Sequence, residues 1–166
     1  MKKIGIFYGS TTGNTEEVAR RIAADLGVVV SDVFDVAKTA PSAVAPFDVL
    51  LFGASTWGDG DLQEDMHDFL DGVASMNLSG KKGALFGCGD ESMADTFCDA
   101  VGEMYRMLEP TGIQMIGDFN ADGYDFHHST ADTNGHTLGL LIDNVNHSEL
   151  TEAKIKAWTD ELKNQI

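Results

Sequence analysis

Basic side chains are scarce in this sequence. Lys and Arg number 11 against 27 Asp and Glu, a formal charge of −16 at pH 7. That excludes a nucleic-acid groove or an anionic membrane surface, because both need clustered Lys and Arg. The charge fits a protein that meets basic partners, and equally one that is simply kept soluble by it. Cysteine is also rare. Cys88 and Cys98 lie ten positions apart and form neither a CxxC pair nor a zinc spacing. They read as small apolar fillers in a reduced, cytosolic chain. No apolar run approaches the ~20 residues of a membrane span, and the start, Met1-Lys2-Lys3, leads into no secretory signal. Repeats and low-complexity tracts are absent.

What is present is a core-forming composition. The chain has 166 residues, 43% of them apolar, which suits one domain over 1–166. Short apolar runs alternate with amphipathic segments. Strands are expected at Ile4–Tyr8, Val28–Val36, Val49–Gly53, Gly83–Cys88 and Ile113–Phe119. Helices are expected at Asn14–Leu26, Leu62–Val73, Asp95–Leu108 and Leu150–Leu162, with Ser148 capping the last and Asp95 a candidate cap of the third. Trp158 is expected to pack that last helix onto the sheet. Between the second and third strands, Pro41 and Pro46 leave room for no more than a turn or two of helix. After the fifth strand, Asn120–His136 is polar and Gly-rich, and Thr137–Asp143 reads as strand again. The pattern is an α/β three-layer sandwich with a five-stranded parallel sheet, its fifth strand interrupted by an insertion.

In such a sheet, ligands sit beyond the carboxyl ends of the strands where strand order reverses. Three loops therefore matter. After the first strand comes Gly9-Ser10-Thr11-Thr12-Gly13-Asn14-Thr15, then a helix. Four hydroxyls and a helix amino end suit a phosphate. The Lys of a nucleotide P-loop is missing, so neutral dipoles would hold a terminal monophosphate. After the third strand comes Ser55-Thr56-Trp57-Gly58-Asp59-Gly60-Asp61. A Trp among small and acidic turn residues offers a flat face for a planar ring. After the fourth comes Gly87-Cys88-Gly89-Asp90-Glu91-Ser92-Met93, where two glycines admit a ligand edge close to backbone amides.

These three segments together resemble the flavodoxin family, and the resemblance extends over essentially the whole chain. Ser10-x-Thr12-Gly13-Asn14-Thr15 is similar to the family's flavin mononucleotide (FMN) phosphate loop, Ser55–Gly60 to its second loop, and Phe86–Asp90 to its third. The interrupted fifth strand resembles the long-chain subgroup, and so does the closing stretch Leu138–Trp158. The sheet order 2-1-3-4-5 is adopted from this resemblance. It implies a low-potential one-electron carrier with non-covalently bound FMN, shuttling between semiquinone and hydroquinone, and no substrate turnover of its own. It implies FMN contacts at Ser10, Thr11, Thr12, Gly13, Asn14, Thr15, Ser55, Thr56, Trp57, Gly58, Asp59, Gly60, Cys88, Gly89, Asp90, Met93, Phe97 and Cys98. Within it, the Gly58–Asp59 carbonyl turns toward the flavin N5 proton, and acids near the ring disfavour the second electron. Expected partners are basic-surfaced redox proteins, both reductase donors and oxidoreductase acceptors, meeting a cytoplasmic monomer.

The sequence departs from the family in its third loop. Flavodoxins usually place an aromatic there, most often Tyr, over the outer flavin face; this chain offers Met93. An FMN quinone or nitro reductase on the same fold is the alternative reading, and it needs an open flavin face that Trp57 occupies. A receiver-like signalling module is excluded, because no paired acids follow the first strand and no Lys lies between Lys82 and Lys154. His127, His128, His136 and His147 read as plain loop histidines, and no metal site is assigned.

Overall fold

Apolar runs become strands here where helices cover both of their faces. The computed structural model describes residues 2–166. β1 (Ile4–Gly9) runs parallel to β2 (Val33–Asp35) on one side and to β3 (Val49–Trp57) on the other. A short β4 (Asp61–Leu62) folds back antiparallel on the end of β3. β5 (Lys82–Cys88) pairs parallel with β3. The outer row is built from two pieces. β6 (Gln114–Met115) pairs with the first two residues of β5, and β9 (Leu140–Ile142) with its last three. Between them, β7 (Asp132–Thr133) and β8 (His136–Thr137) form a separate hairpin. Its tip, Asn134-Gly135, has both φ positive, as a two-residue hairpin turn requires. The expected order 2-1-3-4-5 is therefore present, with β5 as the fourth row and β6 plus β9 as the interrupted fifth.

Side chains alternate across the sheet. Phe7, Leu50, Phe52, Leu85 and Leu141 join one core with α2 (Glu64–Val73) and α3 (Asp99–Leu108). Ile6, Tyr8, Leu51, Phe86, Leu140 and Ile142 join the other with α1 (Asn14–Leu26) and α4 (Ser148–Lys163). β1, β3, β5 and β9 are buried on both faces over their apolar stretches, so these show no polar alternation. Trp158 is fully buried in the second core, as expected, and its Nε1–H donates to the Gly117 carbonyl at 2.8 Å. No helix among the described residues is long and apolar enough to cross a membrane.

Several boundaries differ from the sequence reading. The second strand keeps only three residues. Val29 and Val30 are 60% and 74% exposed, and a 3-10 turn over Val30–Asp32 replaces the strand there. The chain is still travelling from the end of α1 to the sheet edge at that point, so β propensity finds no partner. Leu62 belongs to β4, and α2 begins after Gln63, whose side chain accepts the Met66 N–H. The third helix starts at Asp99 rather than Asp95, because Asp90–Cys98 is a chain of turns ending with Cys98 at φ 51. The expected run Ile113–Phe119 shrinks to two paired residues, since Gly117 at φ 84 turns the chain away. The Pro-containing segment forms the 3-10 turns Val36–Lys38 and Pro41–Val44, as short as expected.

α4 starts two residues earlier than expected, with His147 rather than Ser148 at its N-cap. His147 Nε2 lies 2.6 Å from Glu91 Oε1, and Nδ1 lies 3.3 Å from Glu149 Oε1. The Glu91 bond raises the His147 pKa most and Glu149 adds to it, while burial opposes them. The partial positive charge of the helix amino end opposes them as well. A raised folded pKa stabilises the fold fully below the unfolded value, about 6.5. That contribution is lost as pH rises through the folded pKa. Urea unfolding of the ligand-free protein is therefore expected to show wild type more stable than His147→Gln at pH 6, with the gap closing by pH 8.5. A gap independent of pH contradicts this account of His147.

Candidate functional site

β1 lies between β2 on one side and β3 on the other, so the chain leaves it in both directions. The carboxyl ends of β1, β3, β5 and β9 meet at this reversal. The loop after β1 opens α1 without capping it. Gly13 is the N-cap at φ 94, in the left-handed region that glycine enters cheaply, and no side chain caps the helix. Ser10 Oγ accepts the Gly13 N–H at 3.1 Å, outside the helix proper. The first-turn N–H groups of α1 are thus left facing outward, which is the electrostatic signature of an anion site.

The four expected hydroxyls do different work. Thr12 and Asn14 line a cavity of about 220 Å³ at the mouth of this turn. Thr15 is fully buried, and its hydroxyl shares a hydrogen bond of 2.7 Å with Ser55, pinning the first loop to the second. Thr11 points the other way and accepts from Gln63 Nε2 at 3.3 Å.

The second loop forms the next wall. Ser55, Thr56 and Trp57 line the same cavity, and Trp57 is 43% exposed, its ring on the rim rather than in the core. Thr56 Oγ1 accepts the Ala100 N–H at 3.0 Å, so it caps α3 in place of the absent local cap. Gly58 at φ 52 and Gly60 at φ 99 carry the turn back into β4, and Asp59 stands exposed at its tip. A Cβ on Gly60 would come within 2.8 Å of Asp99 Oδ2, so this turn also packs closely on the start of α3.

The third loop supplies Cys88, Gly89 and Asp90 to the cavity. A smaller crevice of about 40 Å³ continues from it past Gly58, Gly89 and Asp90 to Met93, Phe97 and Cys98. Met93 is 47% exposed on its edge. Phe97 and Cys98 are buried floor residues, Phe97 packing against Tyr124 and Phe126 of the insertion. Burial pushes the Cys88 thiol up to about 12 and raises Cys98 well above its usual value, as expected of protonated apolar fillers. Asp90 is held below the usual carboxylate range, first by the Ser92 hydroxyl and then by the Ser92 amide.

All eighteen expected positions thus lie around one end of the sheet, although Thr11 lines a neighbouring cavity with Trp57 and Gln63. Two cavity residues escaped the sequence reading, Asn144 and Val145. They form a fourth loop, directly after β9. The signal was the resumed strand Thr137–Asp143, whose carboxyl end reaches the same edge of the sheet as the others. The acids Asp59, Asp61, Glu64 and Asp65 surround the Trp57 side and form no ion pair among the described residues. Among the described residues no three metal-ligating side chains converge.

Known proteins resemble this chain in sequence and fold. The family profile for flavodoxin matches residues 6–158. Flavodoxin 1 of Shigella flexneri is 41% identical over 165 residues, covering 98% of this chain and 93% of that protein. The flavodoxin of Haemophilus influenzae is 38% identical over 168 residues, covering 100% and 97%. Among solved structures, Fusobacterium nucleatum flavodoxin bound to flavin mononucleotide superposes with a TM-score of 0.90 at 26% identity, covering 100% of this chain and 99% of that one. A sheet with its reversal between β1 and β3, an uncapped first helix and a Trp-walled cavity over the strand ends agree with these matches: the chain belongs to the flavodoxin family.

Proposed function

We propose that this protein is a low-potential one-electron carrier that binds FMN non-covalently and turns over no substrate of its own. One observation carries the reading. The uncapped amino end of α1 and the exposed face of Trp57 open on the same cavity. The first suits a phosphate and the second a flat ring, and FMN joins the two. Thr12, Asn14 and the first-turn N–H groups of α1 would hold the phosphate. Trp57 and Met93 would flank the ring, with Gly89 and Asp90 at its edge. When bound, FMN supplies the ability to take up and release electrons singly.

The chain's own part is to tune that chemistry. Gly58 already lies at φ 52, so reorienting its peptide costs little. Asp59, Asp61, Glu64 and Asp65 stand near Trp57 with no Lys or Arg from Thr39 to Gly80. A negative charge ~10 Å away at an effective dielectric of ~40 lowers a one-electron potential by about 35 mV before salt screening. Several such charges separate the second electron from the first. The same acids make the Trp57 side a steering surface for basic-surfaced redox proteins, reductase donors and oxidoreductase acceptors alike. We extend the reading to a cytoplasmic monomer, and the two-piece outer strand row supports placement in the long-chain subgroup.

A quinone or nitro reductase needs room for a second substrate against the ring, and Trp57 walls that side of the cavity. Steady NADPH oxidation by the purified protein, without a second protein, would favour that alternative.

Redox titration of the FMN-loaded protein is expected to show two one-electron waves, the second well below the first. A single two-electron wave contradicts the carrier reading. Met93→Tyr is expected to tighten FMN binding or shift the first potential. A sulfur contact on a ring is worth ~0.3–1.5 kcal/mol, but a thioether stacks over less area and is more mobile than a phenol ring. FMN titration into both FMN-free proteins checks this, and equal affinities with equal potentials contradict it.

A further inference from the structure

Asp143 is a carboxylate with 0% exposure at the end of β9, and no lysine, arginine or histidine pairs with it among the described residues. Burying such a group is costly unless its oxygens are satisfied. Here four N–H donors satisfy it. Oδ1 accepts the backbone N–H groups of Val145 and Asn146, both at 2.9 Å. Oδ2 accepts the backbone N–H of Glu91 and the Asn146 side-chain amide, again both at 2.9 Å. The Asp143 N–H itself donates to the Tyr124 hydroxyl at 3.1 Å.

These donors come from two different loops. Glu91 follows Asp90, which lines both the cavity and its crevice, and Asn146 follows Asn144 and Val145, which line the same cavity. Asn146 completes the link, because its side-chain amide also donates to Asp90 Oδ1 at 2.7 Å. We propose that Asp143, with Asn146, is a positioning pair of the flavin site: the buried carboxylate fixes the third loop against the fourth and so sets where Gly89, Asp90 and Val145 stand along the cavity. The proposal rests on the FMN reading for its consequence but not for its geometry. Neither residue has to touch the ligand.

Asp143→Asn makes the case sharply. It replaces one oxygen by an NH2 group that faces two N–H donors, whichever way the amide turns. Asn146→Ala is the milder variant. Asn146 is exposed, so truncating it deletes the side-chain amide bonds to Asp90 and Asp143, leaves its backbone N–H on Asp143, and does not open the core.

Two measurements test the pair. The first is hydrogen exchange of the Glu91 amide in the FMN-free protein. It is expected to be protected in wild type and to exchange at least about tenfold faster in Asp143→Asn, with the α1 amides unchanged. The second is FMN affinity together with the first reduction potential. Asn146→Ala is expected to weaken FMN about tenfold at an unaltered melting temperature of the FMN-free protein. A purely structural role predicts the opposite pattern. Melting temperatures would fall while affinity and potential stayed at the wild-type values, and that result overturns the proposal. Unprotected Glu91 exchange in wild type overturns it too. Wild type failing to bind FMN while Glu91 remains protected refutes the cofactor reading and the pair's role in a flavin site, and leaves the loop clamp itself standing.

Discussion

The site depends on a helix that begins without a cap. At most helix starts a Ser, Thr, Asp or Asn side chain takes up one of the free N–H groups. Here the loop after β1 holds Ser10, Thr11 and Thr12, yet Gly13 stands at the cap position with a positive φ and no side chain to offer. The hydroxyls are displaced to other tasks: Ser10 to the Gly13 amide, Thr11 to Gln63 and Thr15 to Ser55. The first turn of α1 remains an open set of donors, held in place by β1 and by the buried Thr15–Ser55 contact. Other features of the cavity are arranged around that fixed point.

The electrostatics divide the site into two ends. No lysine or arginine occurs from Ile4 through Ala19, so the phosphate end has only partial charges, supplied by backbone dipoles. The opposite rim is crowded with carboxylates that no cation offsets. A bound anion is thus held by neutral donors while the ring end lies in a negative field. Lysines at the phosphate end would offset part of that field. In the proposed carrier, their absence preserves the contrast on which a low potential would depend.

Much of this could be read from residues alone because the relevant signals are local. The Val18, Ile22 and Leu26 spacing, with Glu16 and Glu17 in the first turn, located α1 to the residue. The tightly apolar runs located β1 and β5 to within a residue, but β3 continues four residues past the expected Gly53 to Trp57, because its polar end pairs with β4 and is not marked by apolar content. Where long-range packing decided, local reading fell short. Val28–Val30 has strong β propensity, but it reaches the sheet edge too late to pair. Asp95 looks like a cap, but the insertion fastens the 91–98 turns instead, with His127 and His128 N–H groups both donating to the Ala94 carbonyl. The fourth loop was missed for the same reason. Nothing in Asn144-Val145-Asn146 marks a binding segment until β9 carries it beside Gly89.

The central claim is that uncharged donors at the start of α1 grip a phosphate, and the most direct test compares two ligands that differ only in that group. FMN and riboflavin are titrated separately into the FMN-free protein, following quenching of Trp57 fluorescence. Each hydrogen bond to a charged group contributes ~1.5–3 kcal/mol, so two or more such bonds favour FMN by at least about 100-fold. Equal affinities for the two ligands would contradict the account.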